Sequence, residues 1–183
     1  MRPPLATAKD LATLLGISHD SPLLELALER ASDAFTGEIG YPLLRETRTR
    51  VLRGDGGPDL HLPARHVHTA TVTIKGQPPI DVTADQLDGA ILLDGTLGIL
   101  TRADGWPRVP IKVDIDSGYL INQIPGDVRD VVLERAAHIA ENLGVYQQES
   151  TGSVSASISP AAAGGSTQRW VDTVARYRIR GWS

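Results

Sequence analysis

Apolar residues recur at spacings of three and four in several stretches of this chain, the mark of helices that bury one side. One such stretch spans 127–144. Val128, Val131, Val132, Ala136, Ile139, Ala140 and Leu143 form its stripe, and Arg129, Asp130, Glu134, Glu141 and Asn142 lie opposite. Asp127 stands where a carboxylate caps backbone amides and suits the positive end of the helix dipole. Gly144 supplies a stop. This helix is the expected spine of a core. Upstream, Thr7 is positioned to cap a helix over 7–15, with Asp10 as its capping-box partner and Gly16 as its end. Ser21-Pro22 opens a helix over 21–39, striped by Leu24, Leu28, Ala31 and Phe35. Near the other end, Thr167 caps a last short helix on which Trp170, Val171, Val174 and Tyr177 share a face.

Between 44 and 118 the period changes to that of strands. Glu46 to Leu52 alternates polar residues with Thr and Val, as an edge strand does. Thr69 to Lys75, rich in Thr, Val and Ile, is the best strand by composition. Leu60 to Leu62, Ala90 to Leu93, Gly98 to Thr101 and Ile111 to Asp116 complete the set. Asp94-Gly95 signals a hairpin. Gly54-Asp55-Gly56-Gly57-Pro58, Gly76-Gln77-Pro78-Pro79 and Asp104-Gly105-Trp106-Pro107 are turns. The expected fold is α+β: a small helical domain with a long amphipathic spine helix, a mostly antiparallel sheet inserted into it, and an extended C-terminal docking tail. Residues 1–146 form the core (helices 7–15, 21–39 and 127–144, β region 44–118). Residues 147–168, a Ser/Gly/Ala run, are a loop that is flexible or ordered by a partner. Residues 169–183 are the last helix and tail.

Composition narrows the classes. The 183 residues fit one domain with appendages. With only 4% aromatic residues, the core must be built from Leu, Val, Ile and Ala. The absence of cysteine excludes disulfides and thiolate chemistry. No apolar run approaches membrane-spanning length, so no membrane association is expected. The net charge of −4 argues against a protein that wraps nucleic acid with a basic face.

Catalytic signals are weak. Asp59, His61, His66 and His68 are the one cluster of ligand types, and His66-x-His68 would project from one side of a strand. A small metal-dependent hydrolase using His61, His66 and His68 is therefore the reading of a different class. It lacks a further ligand and a glutamate base, and the plain alternative is a histidine-rich sheet edge. Ser117 lies in Asp116-Ser117-Gly118 but without a nucleophile-elbow motif. The 54–57 glycines lack the Lys-Ser/Thr of a phosphate loop. No catalytic residue, metal or cofactor is expected.

The tail is more informative. Arg176, Arg178, Arg180 and Trp182 alternate with Tyr177, Ile179 and Gly181. Arg and Trp are the residues most often found at binding hot spots. Residues 169–183 carry four arginines against Asp172, a net +3, which leaves −7 on the rest of the chain.

The order of pieces over some 110 residues resembles the head-to-tail connector (adaptor) family of tailed bacteriophages. The resemblance is carried by Ala6-Thr7-Ala8-Lys9-Asp10-Leu11, the Ala31-Ser32 helix, Leu60-His61-Leu62-Pro63 and a Val-rich strand closed by Gly76. It continues through Gly98 to Arg102, Gly105-Trp106-Pro107, Val113 to Tyr119, Ile124-Pro125-Gly126-Asp127-Val128, Glu149 to Ser153, and Tyr177-Arg178. Asp114 and Asp116 depart from the family's usual polar and aromatic positions. The resemblance implies a structural protein of the virion head–tail junction, assembled in the host cytoplasm. It implies a homo-oligomeric ring, usually of twelve copies, between a portal protein and a tail-side stopper protein, with double-stranded DNA passing through the channel. The expected portal-docking residues are Trp170, Arg176, Tyr177, Arg178, Arg180 and Trp182. Ring closure needs two complementary faces, and charge suggests Arg45, Arg48, Arg50 and Arg53 against Asp81, Asp85 and Asp88. A tail-completion or stopper component of the same neck is the alternative within this class.

Overall fold

The computed structural model describes residues 3–18, 21–84, 86, 89–143 and 167–179. They form two compact units, one helical and built from both ends of the chain, the other a sheet unit spanning 41–123. The sheet unit is thus an insertion between two helices. The fold is α+β, and every strand ladder is antiparallel.

The helical unit holds α1 (Ala8–Leu15), α2 (Pro22–Ile39), α3 (Gly126–Asn142) and α4 (Gln168–Tyr177). Thr7 caps α1 by accepting from the Asp10 amide, and Gly16 closes the helix in the left-handed conformation. Ser21 precedes α2, but its hydroxyl makes no capping bond; Pro22 alone sets the helix start. Helix α3 begins one residue earlier than expected and ends at Asn142, so Gly144 lies outside the described residues. It does not act as a lone spine. Helix α2 is one residue longer and buries Leu24, Ala27, Leu28, Ala31, Ser32, Phe35 and Ile39 against the Val128, Val131, Val132, Ala136 and Ala140 stripe of α3. Leu5 and Ala6 join this core, and Ser32 Oγ accepts from the Leu5 amide at 2.9 Å.

The sheet unit has two sheets. One has the order β1-β7-β3-β4, from β1 (Glu46–Arg53), β3 (Val67–Ile74), β4 (Ile80–Thr83) and β7 (Pro110–Ser117). The other is β2-β6-β5, from β2 (Asp59–His61), β5 (Ile91–Asp94) and β6 (Ile99–Arg102). They share one core: Val72, Ile74, Ile111, Val113 and Ile115 from the first sheet, Leu60, Leu93 and Leu100 from the second, and Trp106 between turns. Trp106 is fully buried, and its indole N–H donates to the Leu100 carbonyl at 3.0 Å. The turns are tight against it. A Cβ on Gly54 would lie 2.3 Å from the Pro107 carbonyl oxygen, which explains a glycine there without any phosphate. The β5–β6 connection is a four-residue loop rather than a two-residue hairpin. Asp94 pairs with Ile99, and Gly98, not Gly95, takes the left-handed conformation.

Candidate interaction site

Helix α4 lies on the groove between α2 and α3. Its buried face is Trp170, Thr173 and Val174, with Tyr177 half-buried, at the i, i+3, i+4, i+7 spacing of one helical side. Val171, expected on that face, is 47% exposed, because one residue along a helix turns about 100° away. Trp170 is 2% exposed. Its ring meets the chain's one phenylalanine, Phe35, edge to face at 5.4 Å between centroids, and Phe35 also meets Tyr177 at 6.4 Å. The indole N–H donates to the Glu38 carboxylate at 3.1 Å, and the Arg135 guanidinium stands 5.7 Å from the ring centre.

Carboxylates ring this pocket. Asp127, Asp130 and Glu134 follow one another at spacings of three and four on one side of α3. Arg169 bonds Asp130 at 2.7 Å and Glu134 as well, and these carboxylates, Asp130 first, hold its guanidinium still more firmly in the charged form. Arg176 bonds Asp127 at 2.6 Å, and the Tyr177 hydroxyl donates to the same carboxylate at 3.0 Å. Arg178 Nε donates to the Glu38 backbone oxygen at 2.9 Å.

This arrangement changes the expectation for the tail. Trp170 is buried in the helical unit, where Phe35 and Glu38 supply the cover and the acceptor it needs. Arg176, Tyr177 and Arg178 are engaged by the chain's own helical unit. Arg180 and Trp182 lie outside the described residues. The acidic groove was legible only in part: Asp130 and Glu134 read as a solvated side, and Glu38 and Phe35 carried no local signal of their partner.

The arginines of β1 do not form one face. Register sets Arg48 opposite Ile115 and Arg50 opposite Val113, on the core side, while Arg53 shares the outer side with Thr49 and Asp114. Arg45 is already paired with Asp116 at 2.6 Å, and Arg48 with Glu46. Asp81 accepts from Thr71 at 2.7 Å. It lies on β4, at the opposite edge of the same sheet from β1. Asp85 and Asp88 are outside the described residues.

The histidines do not assemble a metal site. His61 is on β2, in the other sheet from His68 on β3. Among the described residues no group of three or more His, Asp or Glu side chains could hold an ion. The alternative reading needs His61, His66 and His68 together, but His61 and His68 stand on strands of different sheets. His66 instead takes a left-handed conformation (φ 54°) and stacks on Tyr119 at 4.0 Å. His68 Nε2 lies 2.8 Å from the Gly118 carbonyl oxygen. Burial, and then the neighbouring His68, hold His66 below its ordinary value of 6.5. Burial pushes the Tyr41 hydroxyl up to about 12. Among the described residues, no helix is long and apolar enough to cross a membrane.

No family model matches the chain, and no curated protein does. Solved structures share its fold. A chain from the neck of the empty gene transfer agent particle, solved with C6 symmetry, superposes with a TM-score of 0.58 at 14% identity, over 96% of this chain and 90% of that one. A chain from the neck of the native particle, with C12 symmetry, gives 0.57 at 15%, over 96% and 92%. A chain from the virion of the native gene transfer agent gives 0.55 at 14%, over 96% and 90%. The chain therefore has the fold of neck proteins of phage-like particles, across both units.

Proposed function

We propose that this protein is a structural, non-enzymatic component of a phage-type virion neck, a head-to-tail adaptor that forms a ring, twelve-fold in the virion. The portal protein lies on one side of the ring and the stopper protein on the other. The observation that carries this reading is the fold likeness to neck chains over 96% of the sequence, in a particle whose neck was solved with C12 symmetry. Similarity confined to one unit would support much less. The net charge of −4 fits a wall past which double-stranded DNA moves, because a basic lining would hold the phosphates by counterion release.

A ring closes through two different surfaces on each copy. We assign these to the two outer strands of the four-stranded sheet: β1, which carries Arg48 and Arg50 on one side and Arg53 on the other, and β4, which carries Asp81. Portal docking falls to the residues beyond the helix, Arg180 and Trp182, with α4 anchoring their base through Trp170, Arg176, Tyr177 and Arg178. Removal of residues 180–183 tests this. The truncated protein is expected to keep its circular dichroism spectrum and thermal midpoint yet fail to capture the portal in a pull-down. Undiminished capture would contradict the assignment.

A further inference from the structure

We propose that in the assembled ring the α4 helix of each copy seats in the α2–α3 groove of its neighbour, so that the copies are laced together by exchanged C-terminal helices. This inference rests on the ring reading above.

Three observations lead to it. The first is the connection. Helix-to-helix links within a bundle run to about 2–8 residues. Here residues 143–167 separate α3 from α4, 25 positions of mostly Ser, Gly and Ala with Glu149 as their one charged residue. Fully extended, such a segment reaches about 80 Å.

The second is the built receptor. A pocket walled by Phe35 accepts one indole, Glu38 receives its N–H, and Asp127, Asp130 and Glu134 take Arg176 and Arg169. Every copy carries the same groove and the same helix. Exchange between copies therefore preserves each of these contacts and changes only which chain supplies the helix.

The third is what holds the helix. Ten residues are too few to be helical alone, so α4 depends on its groove. Its ion pairs are open to water: Arg169 is 52% and Arg176 66% exposed at the side chain. Exposed pairs contribute little and are screened by salt. The buried anchor is mainly Trp170 with Val174 and Thr173. In a ring, neighbouring grooves stand at high effective concentration.

The chain contains no cysteine, so introduced thiols are unambiguous. The experiment pairs Glu134→Cys with Arg169→Cys, positions whose native side chains touch. Trp170 and the Arg176–Asp127 pair still hold the helix. Rings assembled on the portal are treated with a short bis-maleimide and run on a denaturing gel. The expected result is a ladder of covalent multimers, absent from rings that carry either single cysteine. A second pair, Asp127→Cys with Arg176→Cys, is expected to give the same ladder and guards against disturbance by the first. Rings whose cross-linked protein runs as a single chain, or rings with no cross-link from either pair, overturn the exchange while leaving the ring. Absence of rings overturns both readings.

Discussion

At the scale of single residues, the sheet unit carries an unusual titration pattern around Gly118. His66 is stacked on Tyr119 and held below 6.5. A histidine with a lowered value binds its proton less readily in the folded chain than in the unfolded one. Its contribution to stability is whole above about pH 6.5 and shrinks as pH falls toward the folded value. The carboxylates act elsewhere on the scale. Asp116 is held below 3.8 by its hydrogen bond from Arg45, and Asp114 by its bonds from Thr49 and Lys112. Their contributions are present above 3.8 and are lost only in stronger acid. The two windows are separable. The thermal midpoint is therefore expected to fall between pH 7.5 and 5.5 in the native protein and to fall less in His66→Asn. Asparagine suits the left-handed backbone at that position but has no proton to gain. Equal slopes in the two proteins would contradict this role for His66.

At the scale of elements, the docking of α4 concentrates the chain's few aromatics. Phe35, Trp170 and Tyr177 meet in one cluster, although aromatics are 4% of the sequence. Trp170→Ala is expected to destabilise the helical unit by about 3–5 kcal/mol, the usual cost of removing a buried large ring, read from urea unfolding followed by helical signal. A loss below about 1 kcal/mol would mean that the ring is not part of the core. This element also marks where sequence reading stopped. Thr167 announced the cap, and the structure bears that out. The spacing of Trp170, Val174 and Tyr177 announced a buried face. What buries that face is residue 35, far upstream, and no local pattern connects the two. Arginines and a tryptophan near a terminus therefore read as unsatisfied, when three of the arginines already had acceptors on α2 and α3. Strand β4 was missed for a different reason. Ile80 to Thr83 is four residues long and follows two prolines, so its alternation is too brief to register. Segments 67–74 and 110–117 were legible because alternate residues of each are buried, and 46–53 because its polar residues alternate with Thr and Val.

At the scale of the whole molecule, the α+β class and the inserted sheet were visible in the change of hydrophobic period at residue 44 and its return after residue 123. The division into a helical unit made from both ends of the chain and a separate sheet unit was not. A sequence shows where a pattern changes, but not which distant stretches share a core. The order of short motifs pointed to a phage connector, and the fold likeness to gene transfer agent neck chains agrees with a neck protein at that level. Strand alternation divides Arg48 and Arg50 from Arg53, and charge counted along a strand cannot anticipate that.

The central claim is that copies of this chain close into a ring between portal and stopper. Electron microscopy of the purified protein, alone and mixed with a portal protein, tests it most directly. The expected result is a ring stacked coaxially on the narrow end of the portal, with twelve-fold rotational symmetry. A compact monomer in both samples, with no added density on the portal, would contradict it.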